Sequence, residues 1–376
     1  CTRINAIKKD IQKKYLGLWP RNLTPMKSKV TENQLFSNSI ISWYRENPRN
    51  LPWRETQDPY KIWLSEIILQ QTRVAQGLPY YEAFSKAYPT VQALAEAPEA
   101  EVLRLWQGLG YYSRARNLHA CAKYIWKDLG GNFPNNYASL IQLKGVGSYT
   151  AAAISSFAFG EVQAVVDGNV FRVLARYFGI ATDIASGKGK KEFEALANQL
   201  IPKDAPGEFN QAMMDFGSRC CTPKNPNCVA CPLASSCFAF QKELVPSLPV
   251  KINKTKVKER IIPYLVIRCS GQVVWNKRGE GDIWTGLYDF PLLEQENFPW
   301  KENLQQEAVL FPKKYRHLLS HLRILGSFWE IELSSDKFPE LAKWCQKEGF
   351  DLVDDQQIDA LPKPKLIVRY LTDREI

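Results

Sequence analysis

Two kinds of hydrophobic pattern divide the chain. From about residue 32 to 245, apolar residues recur at three- and four-residue spacing, as in Leu35, Ile40, Trp43 and Tyr44, with prolines and glycines between the segments. This spacing places apolar side chains on one face of a helix, so it predicts a mostly helical region. Beyond about residue 260 short strand-like runs appear, which predict a separate α+β domain.

The α+β domain is predicted in more detail from its turns. Residues 264–268 and 272–275 read as strands joined by a turn at 270–271, and residues 321–333 read as a strand pair that turns near Gly326. A helix is expected from Leu341 to Glu348. The preceding stretch 246–260 carries prolines and a run of lysines, so we expect an exposed linker there.

Composition and charge give little information about the function. The net charge is +10, which would suit a polyanionic partner, but half of the excess falls in residues 1–25, and a solvated tail gives the same signal. We expect residues 1–25, which precede Met26, to be a basic extension outside the fold. No apolar run approaches the ~18 residues that a membrane helix needs, so a soluble cytoplasmic protein is expected.

The strongest local signal is a group of cysteines spaced C-x6-C-x2-C-x5-C, formed by Cys221, Cys228, Cys231 and Cys237. Four thiols this close can converge on one centre, which favours metal binding over free buried thiols. Structural zinc and an iron–sulfur cluster both remain open on spacing alone. The adjacent Cys220 is interpreted as a small buried apolar residue.

This spacing resembles the 4Fe–4S loop of the endonuclease III and MutY DNA glycosylases, and that resemblance favours a 4Fe–4S cluster. It implies a mainly α catalytic region with two helical subdomains, a helix-hairpin-helix and the cluster loop, followed by a MutT/Nudix-like α+β domain. On this basis residues 52–155 form a six-helix subdomain, and residues 26–51 join 156–245 in an iron–sulfur subdomain. The linker covers 246–260 and the MutT-like domain covers 261–376.

A glycine-rich turn is the second motif. The string from Leu143 to Ala151 contains Lys144, Gly145 and Gly147 ahead of an alanine-rich helix. Free N–H groups at such a helix start can bind a phosphate oxygen, although a plain helix–helix turn has the same pattern. The full string is similar to the helix-hairpin-helix of the superfamily, which implies that these residues hold the DNA backbone.

Two acidic residues are candidates for N-glycosidic bond cleavage, which needs a protonated leaving base and a stabilised sugar cation. Glu66 lies among apolar residues in a predicted helix, where a carboxyl is protonated more easily. Asp167 precedes a helix near residue 170 and reads as its N-cap, held ionised by helix N–H groups. The alternatives are an ordinary surface Glu and a purely structural cap. The resemblance implies that Glu66 protonates adenine at N7, that Asp167 is the catalytic Asp, and that Asn169 supports it.

Tyr149 distinguishes branches of this superfamily. Bifunctional members carry a lysine at the matching place, whose amine forms a Schiff base with the sugar. Tyr149 stands there instead, which implies a monofunctional glycosylase that uses water. An endonuclease III-like lyase is therefore disfavoured, and a non-enzymatic DNA-binding protein would have no need for Glu66 and Asp167.

Recognition of the mispair requires a flipped base and a wedge in the vacated stack. The string Gly108–Arg116 places Leu109 and Tyr111 on a glycine-flanked turn, although isolated residues of these types usually lie in a core. Resemblance to the MutY family implies that Tyr111 and Gln71, with Thr72 beside it, surround the opposing oxidised guanine. It also places Arg54 near the adenine.

The C-terminal domain resembles the MutT-like domain of MutY proteins. No acidic magnesium-binding string follows Trp284–Pro291, so it is expected to recognise oxidised guanine rather than hydrolyse nucleotides. Ser320 and His321 match the family's Phe-Ser-His, with leucine in place of the Phe; a surface turn is the alternative. The expected partner is double-stranded DNA with adenine opposite 8-oxoguanine, or opposite guanine, bound by a monomer in the nucleoid of a bacterial cell.

Overall fold

The computed structural model describes residues 28–252, 257–295, 297–319 and 322–375. Its N-terminal part is helical, as the hydrophobic spacing predicts. In chain order the helices are α1 (Ser28–Glu46), α2 (Pro59–Leu69), α3 (Val74–Ala87), α4 (Val91–Glu96), α5 (Glu99–Leu105), α6 (Ser113–Asp128), α7 (Tyr137–Leu140), α8 (Ser148–Phe159), α9 (Gly168–Phe178), α10 (Gly187–Leu200), α11 (Pro206–Arg219) and α12 (Phe238–Gln241).

These helices pack around two cores. The first contains large side chains of α2, α3 and the residue after α5, among them Trp63, Phe84 and Trp106. The second contains residues of α9 to α11 together with Phe36, whose ring centroid lies 4.6 Å from that of Tyr177. Helix α1 therefore packs against the last part of the helical region, far from it in sequence.

The C-terminal part is a mixed sheet with helices on both faces. Its elements are β1 (Lys258–Cys269), β2 (Gln272–Lys277), β3 (Tyr288–Asp289), α13 (Leu304–Glu307), β4 (Val309–Leu310), β5 (Tyr315–Leu318), β6 (Leu322–Leu333), α14 (Phe338–Glu348), β7 (Asp351–Asp354) and α15 (Lys365–Asp373). The strand order is β3-β2-β1-β6-β4, with β5 also paired to β6 and β7 to β2. Strands β1 and β6 run parallel, from Lys258 opposite Leu322 to Cys269 opposite Leu333.

Alternate side chains of β1 point to opposite faces of the sheet, and each face packs against a helix. Tyr264 and Val266 belong to the core that contains α15, and Leu265 and Ile267 belong to the core that contains α14. On the α15 side the rings of Phe328 and Tyr370 stack with centroids 3.9 Å apart. Both faces of a strand that reads as continuously apolar are therefore buried, as in sheets with helices on each side.

Two details of the predicted domain are wrong. Residues 322–333 form one continuous strand and not a strand pair, because Gly326 lies within the β1–β6 ladder. A Cβ atom there would lie 3.0 Å from Leu366 Cδ2, so the glycine makes room for α15 rather than a turn. Strand β1 also begins at Lys258, inside the stretch predicted as linker.

The two parts of the chain share one apolar core and several hydrogen bonds. Trp106 and Tyr112 belong to the same buried cluster as Leu287 and Leu366. The Tyr112 hydroxyl donates to the Lys363 carbonyl at 3.1 Å. Among the described residues no helix is both long and apolar enough to cross a bilayer.

The close approach at Gly326 gives a stability prediction. Gly326→Val is expected to lower the free energy of unfolding by about 1–3 kcal/mol, because the new side chain overpacks against Leu366. Gly279→Val is the matched control, since no atom lies within 4 Å of a Cβ at that position. Denaturant unfolding of both variants measures the difference; equal stabilities would contradict the packing argument.

Candidate active site

A cavity of about 200 Å³ lies between the two helical cores. Its wall combines the turn Pro52–Arg54 with the middle of α2, the starts of α8 and α9, and one face of α11. The polar and ionisable side chains on this wall are Arg49, Arg54, Ser65, Glu66, Thr72, Tyr149, Asp167, Asn169, Gln211, Asp215 and Ser218. The structure thus brings Glu66, Asp167, Tyr149 and Asn169 together, although up to about a hundred residues separate them.

Glu66 is the least exposed of the four side chains Glu66, Tyr149, Asp167 and Asn169. Helix α2 is buried on nearly every side, and Glu66 itself is 7% exposed. Burial raises the pKa of the Glu66 carboxyl to about 7, while the hydrogen bond to Tyr149 and the charge of Arg54 act in the lowering direction. A carboxyl with a pKa near 7 can hold a proton and release it at neutral pH.

Asp167 is held by the start of α9. Its Oδ1 accepts from the Asn169 and Val170 backbone N–H groups at 2.8 Å each, and its Oδ2 accepts from Asn169 Nδ2 at 2.7 Å. Burial raises the pKa of Asp167, and these hydrogen bonds oppose that effect. The predicted N-cap is therefore present, and its carboxylate also faces the cavity.

Hydrogen bonds continue from Asp167 toward the cysteine loop. The Asn169 Oδ1 atom accepts from Arg172 Nη2 at 2.9 Å, and Arg172 Nε donates to the Cys221 carbonyl at 2.7 Å. Arg172 is 7% exposed, so its position depends on these carbonyl and amide partners. The orientation of Asn169, and through it Asp167, is thus tied to the backbone of the first cysteine in the loop.

Tyr149 and Arg54 complete the cavity. The Tyr149 hydroxyl donates to Met214 Sδ at 3.2 Å, and burial with the nearby Glu66 charge raises the pKa of Tyr149 well above its ordinary value. Arg54 donates to both carboxylate oxygens of Asp215, at 2.8 and 2.9 Å. The Arg54 guanidinium is therefore bound to the Asp215 carboxylate in this structure.

Sequence reasoning missed Asp215, Gln211 and Met214 on α11. Asp215 is 2% exposed and accepts from Arg54 and Arg49. The sequence does contain one indication of this role. Asp215 is an acid between Met213 and Phe216 on the buried face of an amphipathic helix, and a carboxylate there needs a cationic partner.

The glycine-rich turn has the geometry that a backbone contact needs. Gly145 has a φ of +81°, and a Cβ there would lie 2.8 Å from Asn117 Cβ. Helix α8 starts after Gly147 without a side-chain cap, which leaves its first N–H groups available. Lys144, Gly145 and Gly147 are all exposed.

The residues predicted to contact the mispaired bases differ in their exposure. Gln71 and Tyr111 are exposed, with φ angles of 55° and 51°. Leu109 is only 6% exposed and belongs to the first core, so its side chain does not project as a wedge in this structure. Ser320 and His321 lie outside the described residues.

The four spaced cysteines surround a second, apolar cavity together with Cys220. Arg176 Nη1 donates to the Cys221 sulfur at 3.4 Å, which suits a negatively charged thiolate. No group of three or more His, Cys, Asp or Glu side chains in the described ranges is arranged to hold a metal ion.

Comparisons with known proteins identify the family of the chain. Residues 64–203 match the family described as HhH-GPD superfamily base excision DNA repair protein, and residues 263–373 match the NUDIX domain. The chain is 37% identical over 312 residues to an adenine DNA glycosylase of Buchnera aphidicola subsp. Baizongia pistaciae, covering 79% of this chain and 86% of that protein. It is 45% identical to the human adenine DNA glycosylase, covering 85% of this chain and 72% of that protein.

The chain belongs to the adenine DNA glycosylase family.

This membership confirms the predicted MutY-type assignment within the endonuclease III superfamily and the prediction of an adenine-specific DNA N-glycosylase. It also confirms the predicted fold class, a helical region followed by a Nudix-like domain. A solved thermostable thymine-DNA glycosylase superposes with a TM-score of 0.53 and 31% identity, covering 57% of this chain and all of that one. An endonuclease III–DNA complex, at 23% identity and a TM-score of 0.50, shows the shared fold of the helical region.

The buried carboxyl of this adenine glycosylase makes its stability depend on pH. Folding raises the pKa of Glu66 from 4.5 to about 7. Between these pH values Glu66 ionises in the unfolded state but keeps its proton in the folded state, so the free energy of unfolding decreases as the pH rises. Glu66→Gln removes this penalty, so the variant's stability relative to wild type should increase over that interval by up to roughly 3 kcal/mol.

Denaturant unfolding at a series of pH values measures that difference. Glu96→Gln is the matched control, because Glu96 is exposed on α4. A stability difference between Glu66→Gln and wild type that does not change with pH would show that Glu66 is not desolvated.

Proposed function

We propose that the protein is a monofunctional glycosylase that removes adenine paired with 8-oxoguanine in double-stranded DNA, and also adenine paired with guanine. Glu66 is the general acid and Asp167 stabilises the sugar. The observation that carries this proposal is the pairing of two carboxyls on one cavity, one buried with a pKa near 7 and the other bound by helix N–H groups.

The reaction follows from these two environments. The adenine leaves the duplex and enters the cavity, since its N-glycosidic bond is inaccessible inside the stack. Protonated Glu66 gives its proton to N7 as the bond between C1′ and N9 breaks and its electron pair passes to the base. The Asp167 carboxylate stabilises the positive charge that develops on the sugar. Water then adds to C1′, and its proton passes to the Glu66 carboxylate.

The cavity favours water over an amine as the nucleophile. Tyr149 occupies the position where bifunctional relatives would carry a lysine, and no lysine lines the cavity among the described residues. A phenol held against Met214 cannot form a Schiff base with the sugar. The product is therefore an intact strand with an abasic site.

Three elements support binding to the duplex around this cavity. The glycine-rich turn with Lys144 and the uncapped start of α8 contact a phosphate, and the exposed Gln71 and Tyr111 surround the opposing base. Arg54, on the cavity wall, contributes at the adenine once DNA is bound. On the sequence match alone, Ser320 and His321 add a contact to 8-oxoguanine.

The cysteine loop is proposed to hold a 4Fe–4S cluster through Cys221, Cys228, Cys231 and Cys237. Two observations support this assignment: the four thiols line one apolar cavity, and Arg176 donates to the sulfur of Cys221. When bound, the cluster would brace the loop. Arg172 then connects the braced backbone of Cys221 to Asn169 beside the catalytic carboxylate.

A single assay tests the activity. A duplex with one adenine opposite 8-oxoguanine is incubated with the protein, and the products are divided between alkali and no alkali. We expect cleavage of the adenine strand only after alkali, and a rate that decreases as the pH rises above about 7, because Glu66 must be protonated. Glu66→Gln should be about 10² to 10⁴ times slower, and Glu96→Gln should match wild type.

The outcomes separate the parts of the proposal. Cleavage without alkali would contradict the monofunctional assignment. Equal excision from duplexes with adenine opposite 8-oxoguanine and opposite thymine would contradict the mispair specificity. Full activity of Glu66→Gln would contradict the acid role.

The cluster assignment is tested by metal analysis. Protein purified without oxygen should contain iron and inorganic sulfide in equal molar amounts and be brown. Cys228→Ala should lose most of both, while Cys345→Ala, which changes a buried thiol in the C-terminal domain, should keep them. Zinc without sulfide would overturn the assignment.

A further inference from the structure

Two loops with unusual backbone conformations lie side by side near the active site. One follows α2 and carries Gln71 at a φ of 55°; the other precedes α6 and carries Tyr111 at a φ of 51°. Residues other than glycine adopt this left-handed region at a cost of order 1 kcal/mol or more, so surrounding contacts must hold both loops in place.

One side chain joins the first loop to the end of α2. Arg114 Nη1 donates to the carbonyls of Ile67 and Ile68 at 3.0 Å each, and to the carbonyl of Gln70 at 2.5 Å. These are carbonyls at the C-terminal end of the helix, where a cation is favoured by the helix dipole. Arg114 Nη2 also lies 3.4 Å from Thr72 Oγ1.

The same guanidinium reaches the second loop. Arg114 Nη2 donates to the Gly110 carbonyl at 3.3 Å. Its Cζ atom lies 5.1 Å from the ring centroid of Trp106 and 5.6 Å from that of Tyr111. The positive charge therefore contacts the aromatic ring that is proposed to enter the DNA stack, and also the loop backbone beside it.

Arg114 does this without a counter-ion. No carboxylate acts on its charge in the described part of the chain, and its Nε is buried without a hydrogen-bond partner there. Burial lowers the pKa of Arg114 to about 10. Arg114 is a partly buried cation whose partners are carbonyls, a hydroxyl and aromatic rings of the two loops, and this arrangement indicates that its role is to hold the loops together.

We propose that Arg114 is a positioning residue that fixes Gln71 and Tyr111 relative to each other, and that it thereby sets the preference for the base opposite adenine. This inference rests on the proposed function of those two residues. Arg114 makes no contact with the Glu66 or Asp167 side chains in the described structure. Its loss should therefore change discrimination between opposing bases more than cleavage itself.

The planar fork of arginine matters for this role. A guanidinium can donate to both loops in one plane while stacking against a ring, and an ammonium group cannot reproduce that geometry. Arg114→Lys keeps the charge and most of the apolar stem. It is therefore the conservative variant that isolates the bridging geometry from electrostatics.

The experiment compares two duplexes, with adenine opposite 8-oxoguanine and adenine opposite guanine. The first readout is the ratio of single-turnover excision rates. The second is the fluorescence of 2-aminopurine placed beside the opposing base, which increases when a side chain enters the stack. We expect Arg114→Lys to lower the ratio by about tenfold or more and to reduce the fluorescence increase. Arg104→Lys is the matched control, since Arg104 is exposed in the last turn of α5 and is not among the residues proposed to contact the opposing base.

Each outcome decides a different point. If the wild-type protein excises adenine from neither duplex, the proposed function is overturned and this inference with it, whereas equal wild-type rates on the two duplexes overturn this inference alone. Wild-type preference that persists in Arg114→Lys, or an equal loss of rate on both duplexes, overturns this inference alone. If Arg114→Lys does not fold, Arg114→Gln takes its place: its single amide cannot donate to both loops at once, so both readouts should shift in the same direction, and no shift overturns the inference.

Discussion

The desolvation of Glu66 is the constraint around which the rest of the active site is arranged. A carboxyl in the middle of a helix that is buried on nearly every side is protonated at neutral pH only while no strong cation is free to bind its ionised form. Arg54 is the nearby cation that lowers the pKa of Glu66. Its bidentate pairing with Asp215 satisfies Arg54 without Glu66. In the proposed mechanism Asp215 thereby keeps Glu66 able to act as an acid, although Asp215 does not itself contact a reacting atom.

Asp167 lines the same cavity as Glu66, but its carboxylate accepts several hydrogen bonds. Backbone N–H groups and the Asn169 amide donate to it, so its ionised form has partners that the ionised form of Glu66 lacks. Two carboxyls in contrasting surroundings can divide acid and stabiliser roles. Asn169 is in turn oriented by Arg172, which donates to the Cys221 carbonyl. The cysteine loop thus contributes to the site through hydrogen bonds, from outside the cavity.

Sequence reasoning works where local physics decides the outcome and fails where distant packing does. The cap at Asp167 and the uncapped helix start after Gly147 follow from residue types and spacing alone. Asp215 was missed because its importance comes from Arg54, which is 161 residues away. Gly326 was interpreted as a turn because a strand glycine and a turn glycine look alike; only the position of Leu366 shows which one it is. Leu109 and Tyr111 are two residues apart, yet one is buried and the other exposed, and their residue types alone do not distinguish them.

The C-terminal domain reaches the active-site region through the loop that carries Tyr111. Lys363 N–H donates to Gln107 Oε1 at 2.9 Å, and the Tyr112 hydroxyl donates to the Lys363 carbonyl. The same loop is held from the other side by Arg114, which also binds the end of α2, the helix that carries Glu66. Beside these contacts, Trp106, Leu109 and Tyr112 belong to the same buried cluster as Leu287 and Leu366 of the C-terminal domain. A movement of the loop that carries Tyr111 would therefore break its hydrogen bonds to Lys363 of the C-terminal domain as well as its contacts with Arg114.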